Sequence, residues 1–503
     1  MLQAAVLALG STGQARAQAM VVESSGGPVT KTEREAFKAF MLTRVPPPNA
    51  WGDTGQHNAL ADGTAGTDVE AMGQMFEATG DVEILDRMIF FLDEFVALRN
   101  DLPGGAHRVV WTGKVEKVWL GAVDTVAPGG ENSDTIAHIA YGALLILRTP
   151  ALWPRVVPDG NPHSYGATYL ERAKTYVART EEANDEYVVK SFVQPGTNLI
   201  RNPPGWPPGA HTMEAINIQM MLDGGFQRDA EIHALLGTDP QRVARYDAIV
   251  KTTVRECLDG MKHASQAAGR TVYVWYYYPW DVRHVETVGH AQYDILGIWR
   301  AAQRSAYGLK REELMPLADT LSYVISLGNN SFATVVDGTG PPRNVAPPYW
   351  LLASDWNDSA YDIMAGAVVA SGVYRRSPAF TAMLLWTKAR RAAAGPPGPG
   401  GGDGGREGVP DAGTVDVRPD AAQTEGPAPA DAARVAAADA SLRPPAEGDV
   451  YGDARVAPSS TASSHGGCAS CRIGARKDQA AWASPAMVAL LLVALGRRRQ
   501  PRR

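Results

Sequence analysis

Between Val272 and Trp299 the chain reads VYVWYYYPWDVRHVETVGHAQYDILGIW, which sets rings, imidazoles and carboxylates side by side. His290 and Tyr293 are three residues apart and Asp294 is four from His290, so on a helix the three share a face. A Tyr beside a His can move a proton when neighbouring positive charge lowers its pKa, and Arg283 and His284 lie just upstream. The chemistry this set suits is β-elimination from a uronic acid. One group neutralises the sugar carboxylate, Tyr293 or His290 takes the acidified proton, and Tyr293 protonates the leaving oxygen. His211 with Asn217, or Asn132 with His138, are candidates to neutralise the carboxylate.

Hydrolysis of a glycosidic bond would instead need two opposed carboxylates. Glu131 or Asp134, Glu214, Glu286, and Asp355 or Asp358 are candidates, and no pair stands out by spacing. Glu214, Glu286 and Asp355 also serve as hydrogen-bonding groups for a sugar. Trp51, Trp275, Tyr277, Trp280, Trp350 and Trp356 fall in loops or strand ends beside these polar residues, where a sugar face would stack on them. Trp299 and Trp386 sit within helical periods and are expected in the core. His57 and Asn58, in the polar loop after Trp51, are expected to line the same cleft. His284, Glu286 and His290 match no zinc spacing and HEXXH is absent, so no catalytic metal or cofactor is expected, although a structural divalent cation would suit such a polar region. No phosphate loop, dinucleotide fingerprint or G-x-S-x-G elbow is present.

Helices must carry most of these groups. Apolar residues recur at helical spacing over 68–79, 82–98, 134–147, 211–222, 241–268, 290–306, 312–327 and 358–372. Strand signals are confined to 109–111, 118–120 and 271–278. Small-residue apolar helices begin near Asp68, Asp134, His211, His290 and Asp358. A repeat of this kind predicts helix pairs closed on themselves, a mainly α (α/α) toroid with a few short β-hairpins. Each such start carries a polar cluster: Glu131, Asn132, Asp134 and His138; His211, Glu214 and Asn217; Glu286, His290 and Asp294; Asp355, Asn357 and Asp358. Capping accounts for Asp134 and Asp358. It does not account for the histidines, which are expected to converge on one mouth with the free N–H groups of the helix starts.

The catalytic domain is expected over 30–390. The 503-residue chain then changes character: 392–466 is Ala, Gly, Pro, Asp and Ser with almost no large apolar side chains, the composition of a disordered linker. The first 19 residues, with an apolar stretch over Leu2–Leu9 and Ala17-Gln18-Ala19, read as a secretory signal lacking its positive start. In 467–503, Cys468-Ala469-Ser470-Cys471 precedes the apolar run Trp482–Gly496 and a cluster of arginines, an arrangement expected to form a transmembrane helix with a cytoplasmic basic end. That tail resembles the MYXO-CTERM sorting tail of myxobacterial surface proteins. The resemblance implies processing at Cys468 and Cys471 by sorting machinery, and display of the upstream domain at the cell surface. Cys257 has no partner in the globular region and is expected as a buried apolar side chain. A net charge of −6 without a basic face excludes nucleic acid as a partner.

With the helix pairs, the polar mouth and HVETVGHAQYD in place, residues 45–375 resemble the (α/α)-toroid polysaccharide lyases, the alginate and glucuronan lyase group in particular. The resemblance implies a polysaccharide substrate. It also implies a catalytic Tyr, His, Asn and Arg at Tyr293, His211 or His290, Asn132 and Arg283. The Asn-Asn-His signature of one alginate lyase family is absent. Six-hairpin glycoside hydrolases share the architecture, and a non-catalytic glycan-binding surface protein could be built on it too.

Overall fold

The computed structural model describes residues 19–51, 58–121, 127–206, 213–279 and 281–394. Twelve α-helices carry the fold: α1 (Lys31–Met41), α2 (Thr64–Thr79), α3 (Val82–Ala97), α4 (Asn132–Leu147), α5 (Tyr169–Ala183), α6 (Val189–Phe192), α7 (Ile216–Leu236), α8 (Pro240–Met261), α9 (Val288–Ala302), α10 (Arg311–Thr320), α11 (Asp358–Ser371) and α12 (Pro378–Ala393). A 3-10 segment, Pro348–Asp355, takes the place of one further helix. Two short antiparallel hairpins are added: β1 (Ala264–Ala267) with β2 (Arg270–Tyr273), and β3 (Ser326–Gly328) with β4 (Ser331–Phe332).

The packing order closes a ring. α2 packs on α4, α4 on α7, α7 on α9, α9 on the 3-10 segment, that segment on α12, and α12 back on α2. Around it α3, α5, α8, α10, α11 and α1 each cover inner neighbours. With α6 continuing α5 through the π-helical turn Asn184–Val188, outer and inner elements alternate along the chain, beginning with α1 outside. Hairpin connections therefore make all inner elements run the same way, and cross-contacts agree. Trp350, third in the 3-10 segment, donates its Nε1 to the carbonyl of Val288, the first residue of α9 (3.0 Å). Asp355, last in that segment, accepts from Nε1 of Trp299 near the other end of α9 (2.7 Å).

Burial separates the layers as sequence periodicity demands. Every residue of α4 is buried, as suits a helix enclosed on all sides. α11 buries only one stripe and exposes Asp358 and Asp362. The helix at Asp358 is thus an outer one, contrary to expectation. The fifth inner element is instead Pro348–Asp355, which packs on α9 and α12. The stretches 109–111 and 118–120 are irregular coil. Residues 271–278 form a strand only to Tyr273, followed by a single bridge at Tyr276. Cys257 is fully buried. Among the described residues no helix is long and apolar enough to cross a membrane; the apolar run 482–496, Cys468 and Cys471 lie outside them.

A strap before α1 ties the ring shut. Met20 N donates to the Arg375 carbonyl (3.1 Å). Lys388 of α12 reaches the Ser24 carbonyl (2.9 Å) and both oxygens of Glu33 (2.6 and 2.7 Å). Lys388 and Glu33 are both fully buried side chains. Removing one of such a pair strands the other's charge at a cost of about 3–5 kcal/mol.

Candidate active site

Parallel inner elements bring their N-terminal ends to one mouth. On one side the chain reaches α4 through Gly129-Gly130-Glu131. A Cβ on Gly130 would lie 2.4 Å from Cγ2 of Ile218, and one on Gly129 would lie 2.4 Å from a carboxyl oxygen of Glu131 itself. The two glycines let the chain lie flat on α7 while Glu131 folds back to accept the Gly129 N–H (3.2 Å). Loss of surrounding water pushes the Glu131 carboxyl up to about 7; hydrogen bonds from its own and the Gly129 N–H oppose this, and the carboxylates of Asp62 and Glu214 add to the rise. Asp62 comes from the turn before α2 and Glu214 from the residue before the α7 N-cap. Three carboxyl groups from three inner-helix starts therefore share one region.

The opposite side of the mouth is the β2–α9 segment. It is stitched to α7 by Ile216 N donating to the Tyr277 carbonyl (3.0 Å). His290 sits in the first turn of α9, which Thr287 caps, with Nδ1 3.4 Å from Oε1 of Glu286 and its ring 5.5 Å from that of Tyr277. The Tyr293 hydroxyl is 3.4 Å from the Asp62 carbonyl, which closes the circle from α9 to α2. Its ring meets Tyr349 at 5.8 Å. Asp294 points away into the core, where its Oδ2 accepts from Nε1 of Trp275 (2.8 Å). Burial and the adjacent Glu286 hold the Asp294 carboxyl well above the usual range.

Beneath the mouth four inner helices meet on the axis. Glu70 of α2 accepts two bonds from Arg228 of α7 (2.7 and 3.0 Å) and one from Arg300 of α9 (3.0 Å). It also faces Nδ1 of His138 of α4 (3.2 Å). The other His138 nitrogen bonds the Ala61 carbonyl (3.1 Å) and lies 3.5 Å from Asp134. Burial works against charge on this imidazole, but Asp134 and Glu70 outweigh it and raise His138 to about 9. The Arg228 guanidinium also stacks 4.0 Å over the Tyr141 ring. This cluster plugs the ring and forms a floor.

The residues singled out from sequence fall into groups. His290 and Tyr277 meet on the α9 side of the mouth with Tyr293 one turn along, and Glu214 stands just before α7. Asn132 is buried at the same end with its amide spent on backbone: Oδ1 accepts from Trp119 N (2.6 Å) and Nδ2 donates to Gly129 O (3.2 Å). His138 belongs to the floor. Asn217 and Glu286 are buried beside the mouth, at 4% and 1% exposure. Arg283 lies on the surface in a pair with Asp281 (2.6 Å) and so stands apart from the buried groups. Trp275 and Trp350 are fully buried and Trp356 nearly so, which corrects their expected role as sugar platforms. Asp355 and Trp356 lie at the far end of the ring, because the inner element ends there, and Asp355 is held by Trp299 and Arg390. Trp51 is half-buried before the loop to α2. His57, His211 and Trp280 lie outside the described residues. Among those described, no three His, Cys, Asp or Glu side chains are grouped to hold a metal. Glu70, Arg228 and Arg300 went unread in the sequence, since a charged residue inside a helix gives no local sign of its partners, and Asp62, in the turn before α2, is one of many loop carboxylates.

No family model and no curated protein matches the chain. Among solved structures it is similar to a D-mannose isomerase (TM-score 0.42, 12% identity, 73% of this chain and 98% of that one). It is similar also to a reducing end xylose-releasing exo-oligoxylanase (0.37, 12%, 65% and 79%). A third is a possible member of the GH105 family from Klebsiella pneumoniae (0.35, 12%, 72% and 94%).

Proposed function

We propose that the protein is a carbohydrate-active enzyme that hydrolyses a glycosidic bond of a polysaccharide bound across the mouth. The observation that carries this is Glu131 at the start of α4, a carboxyl that burial raises to about 7, with Asp62 and Glu214 adding to the rise. A carboxylic acid still protonated near neutrality can donate to a leaving sugar oxygen, and a second carboxylate opposite it can activate water or attack the sugar. Asp62 and Glu214 are the candidates for that second role. Elimination from a uronide is the second reading, favoured by His290 and Tyr293 at the same mouth.

The products separate the two. Incubation with neutral and uronic-acid polysaccharides is expected to yield new reducing ends without absorbance near ~235 nm, because hydrolysis leaves no conjugated double bond. A rise at that wavelength with uronides moves the assignment to elimination, with Tyr293 as its acid or base. Binding without either product leaves a glycan-binding protein. The sequences of 1–19 and 467–503 support, as part of the same proposal, an enzyme exported and anchored at the cell surface. Truncation before residue 467 is then expected to release activity into the medium, and activity retained inside the cell speaks against export.

A further inference from the structure

Trp275, Trp350 and Trp356 are covered, but two other indoles are left partly open. They lie on the Glu131 side. Trp111, in the α3–α4 connection, and Trp206, in the connection to α7, are both half-buried. They meet edge to face, with centroids 5.5 Å apart at 90°. Trp206 is backed by Phe192 (5.3 Å), and Phe192 in turn by Tyr187 (6.0 Å). Nε1 of Trp111 donates to the Tyr187 hydroxyl (3.1 Å), which donates to the carbonyl of Pro128 (2.6 Å). Pro128 opens the Pro128-Gly129-Gly130-Glu131 turn that sets Glu131 in the mouth. Trp111 is thus fixed through one hydroxyl to the backbone that positions the proposed acid, and Trp206 packs on Trp111 and Phe192. Both indoles keep more surface open than Trp119, Trp275 and Trp350, which are fully covered.

We propose that Trp111 and Trp206 form a stacking platform for a pyranoside ring of the glycan whose scissile bond lies over Glu131. This rests on the hydrolytic reading for the position of the bond, but the platform itself is a binding site. A sugar ring presents C–H groups to an indole face and gains both apolar burial and a favourable contact with the ring's negative face. Rigid backing by Phe192 and Tyr187 lowers the ordering cost of that contact. The substrate it fits is a chain with one sugar ring on the platform and a neighbouring linkage over Glu131.

The test is native-gel retardation of the full chain in separate gels containing xylan, carboxymethylcellulose, glucomannan, alginate and polygalacturonate. Catalysis is blocked by Glu131→Gln so that binding is read alone. The Glu131→Gln chain is expected to be slowed by at least one of these polymers. Adding Trp206→Ala or Trp111→Ala is expected to weaken that binding about tenfold, while Trp206→Phe retains most of it. Equal retardation with and without Trp111→Ala/Trp206→Ala overturns the platform, and so does retardation by none of the polymers. Those results leave the hydrolytic reading to its own product assay. Loss of retardation in the Trp→Ala chains with no product from the native chain keeps the platform and removes the hydrolytic reading.

Discussion

Glu131→Gln is expected to lower kcat by about 10²–10⁴-fold, with KM little changed, because it removes the proton and keeps the shape. The pH profile of the native enzyme checks the same group from another direction. The acid must be protonated to work, so activity should fall as pH rises through about 7, the value set by burial and by Asp62 and Glu214. Of Asp62→Asn and Glu214→Gln, the one at the second catalytic carboxylate should lose turnover, while the other removes a charge that pushes Glu131 up and should move the alkaline limb to lower pH. A Glu131→Gln enzyme with native kcat would end the assignment, as would an alkaline limb that ignores the neighbour whose variant keeps turnover.

The same substitution should make the protein more stable at alkaline pH. The folded pKa of Glu131 is raised above its ordinary value of 4.5. Below 4.5 both states hold the proton and nothing is lost. Between 4.5 and about 7 the unfolded chain releases it first, so stability falls with rising pH, and above 7 the full penalty is in place. Glutamine carries no such penalty, and a gain of about 1–3 kcal/mol is expected at pH 8 and none at pH 4. Lost activity with gained stability is the pattern of a residue kept for function. Thermal melting at the two pH values measures it.

How far the fold could be read from the sequence depended on what each helix faces. Val82–Ala97 was legible almost to the residue, since Asp81 caps it and Gly80 ends its predecessor with a left-handed φ of 66°. α7 runs on to Leu236, well past the stop expected near Leu222, because Gly224-Gly225 is a close approach and not a break. A Cβ at Gly224 would stand 2.9 Å from Nη1 of Arg300, and one at Gly225 would stand 3.1 Å from Ile136. The helix expected to continue to residue 268 turns at Met261 into the β1–β2 hairpin, whose two loop residues, Ala268 and Gly269, both have positive φ. The fifth inner element was illegible because Pro347-Pro348 signals a breaker, and a 3-10 segment lacks the 3.6-residue period. At the site, the polar clusters marked the starts of α4, α7 and α9 as inner, whereas Asp355, Asn357 and Asp358 lie where an inner element ends and an outer helix begins. The tryptophans were not legible, since composition gives no measure of burial. Glu70, inside α2, could only be understood once α7 and α9 had been brought beside it.

That last point gives the largest expected effect on stability. Glu70→Gln should lower stability by about 3–5 kcal/mol, because it leaves the buried Arg228, Arg300 and His138 without their common anion. Burial alone would push Glu70 up; Arg228 and Arg300 outweigh it and hold the carboxyl well below its ordinary range. Stability from Glu70 is therefore present above pH 4.5 and lost as pH falls through that depressed value. His138 behaves in the opposite sense. Its stabilisation is complete below its ordinary 6.5 and is lost as pH rises through about 9, so the native protein should weaken between those values and a His138→Gln variant should not follow. Arg300→Met in the Glu70→Gln background relieves one stranded cation, and the pair should cost less than the sum of the singles. Urea unfolding of the four chains measures this coupling directly. Additive costs would mean that the cations do not share Glu70, and an unchanged midpoint in Glu70→Gln with turnover abolished would make the floor a part of the chemistry.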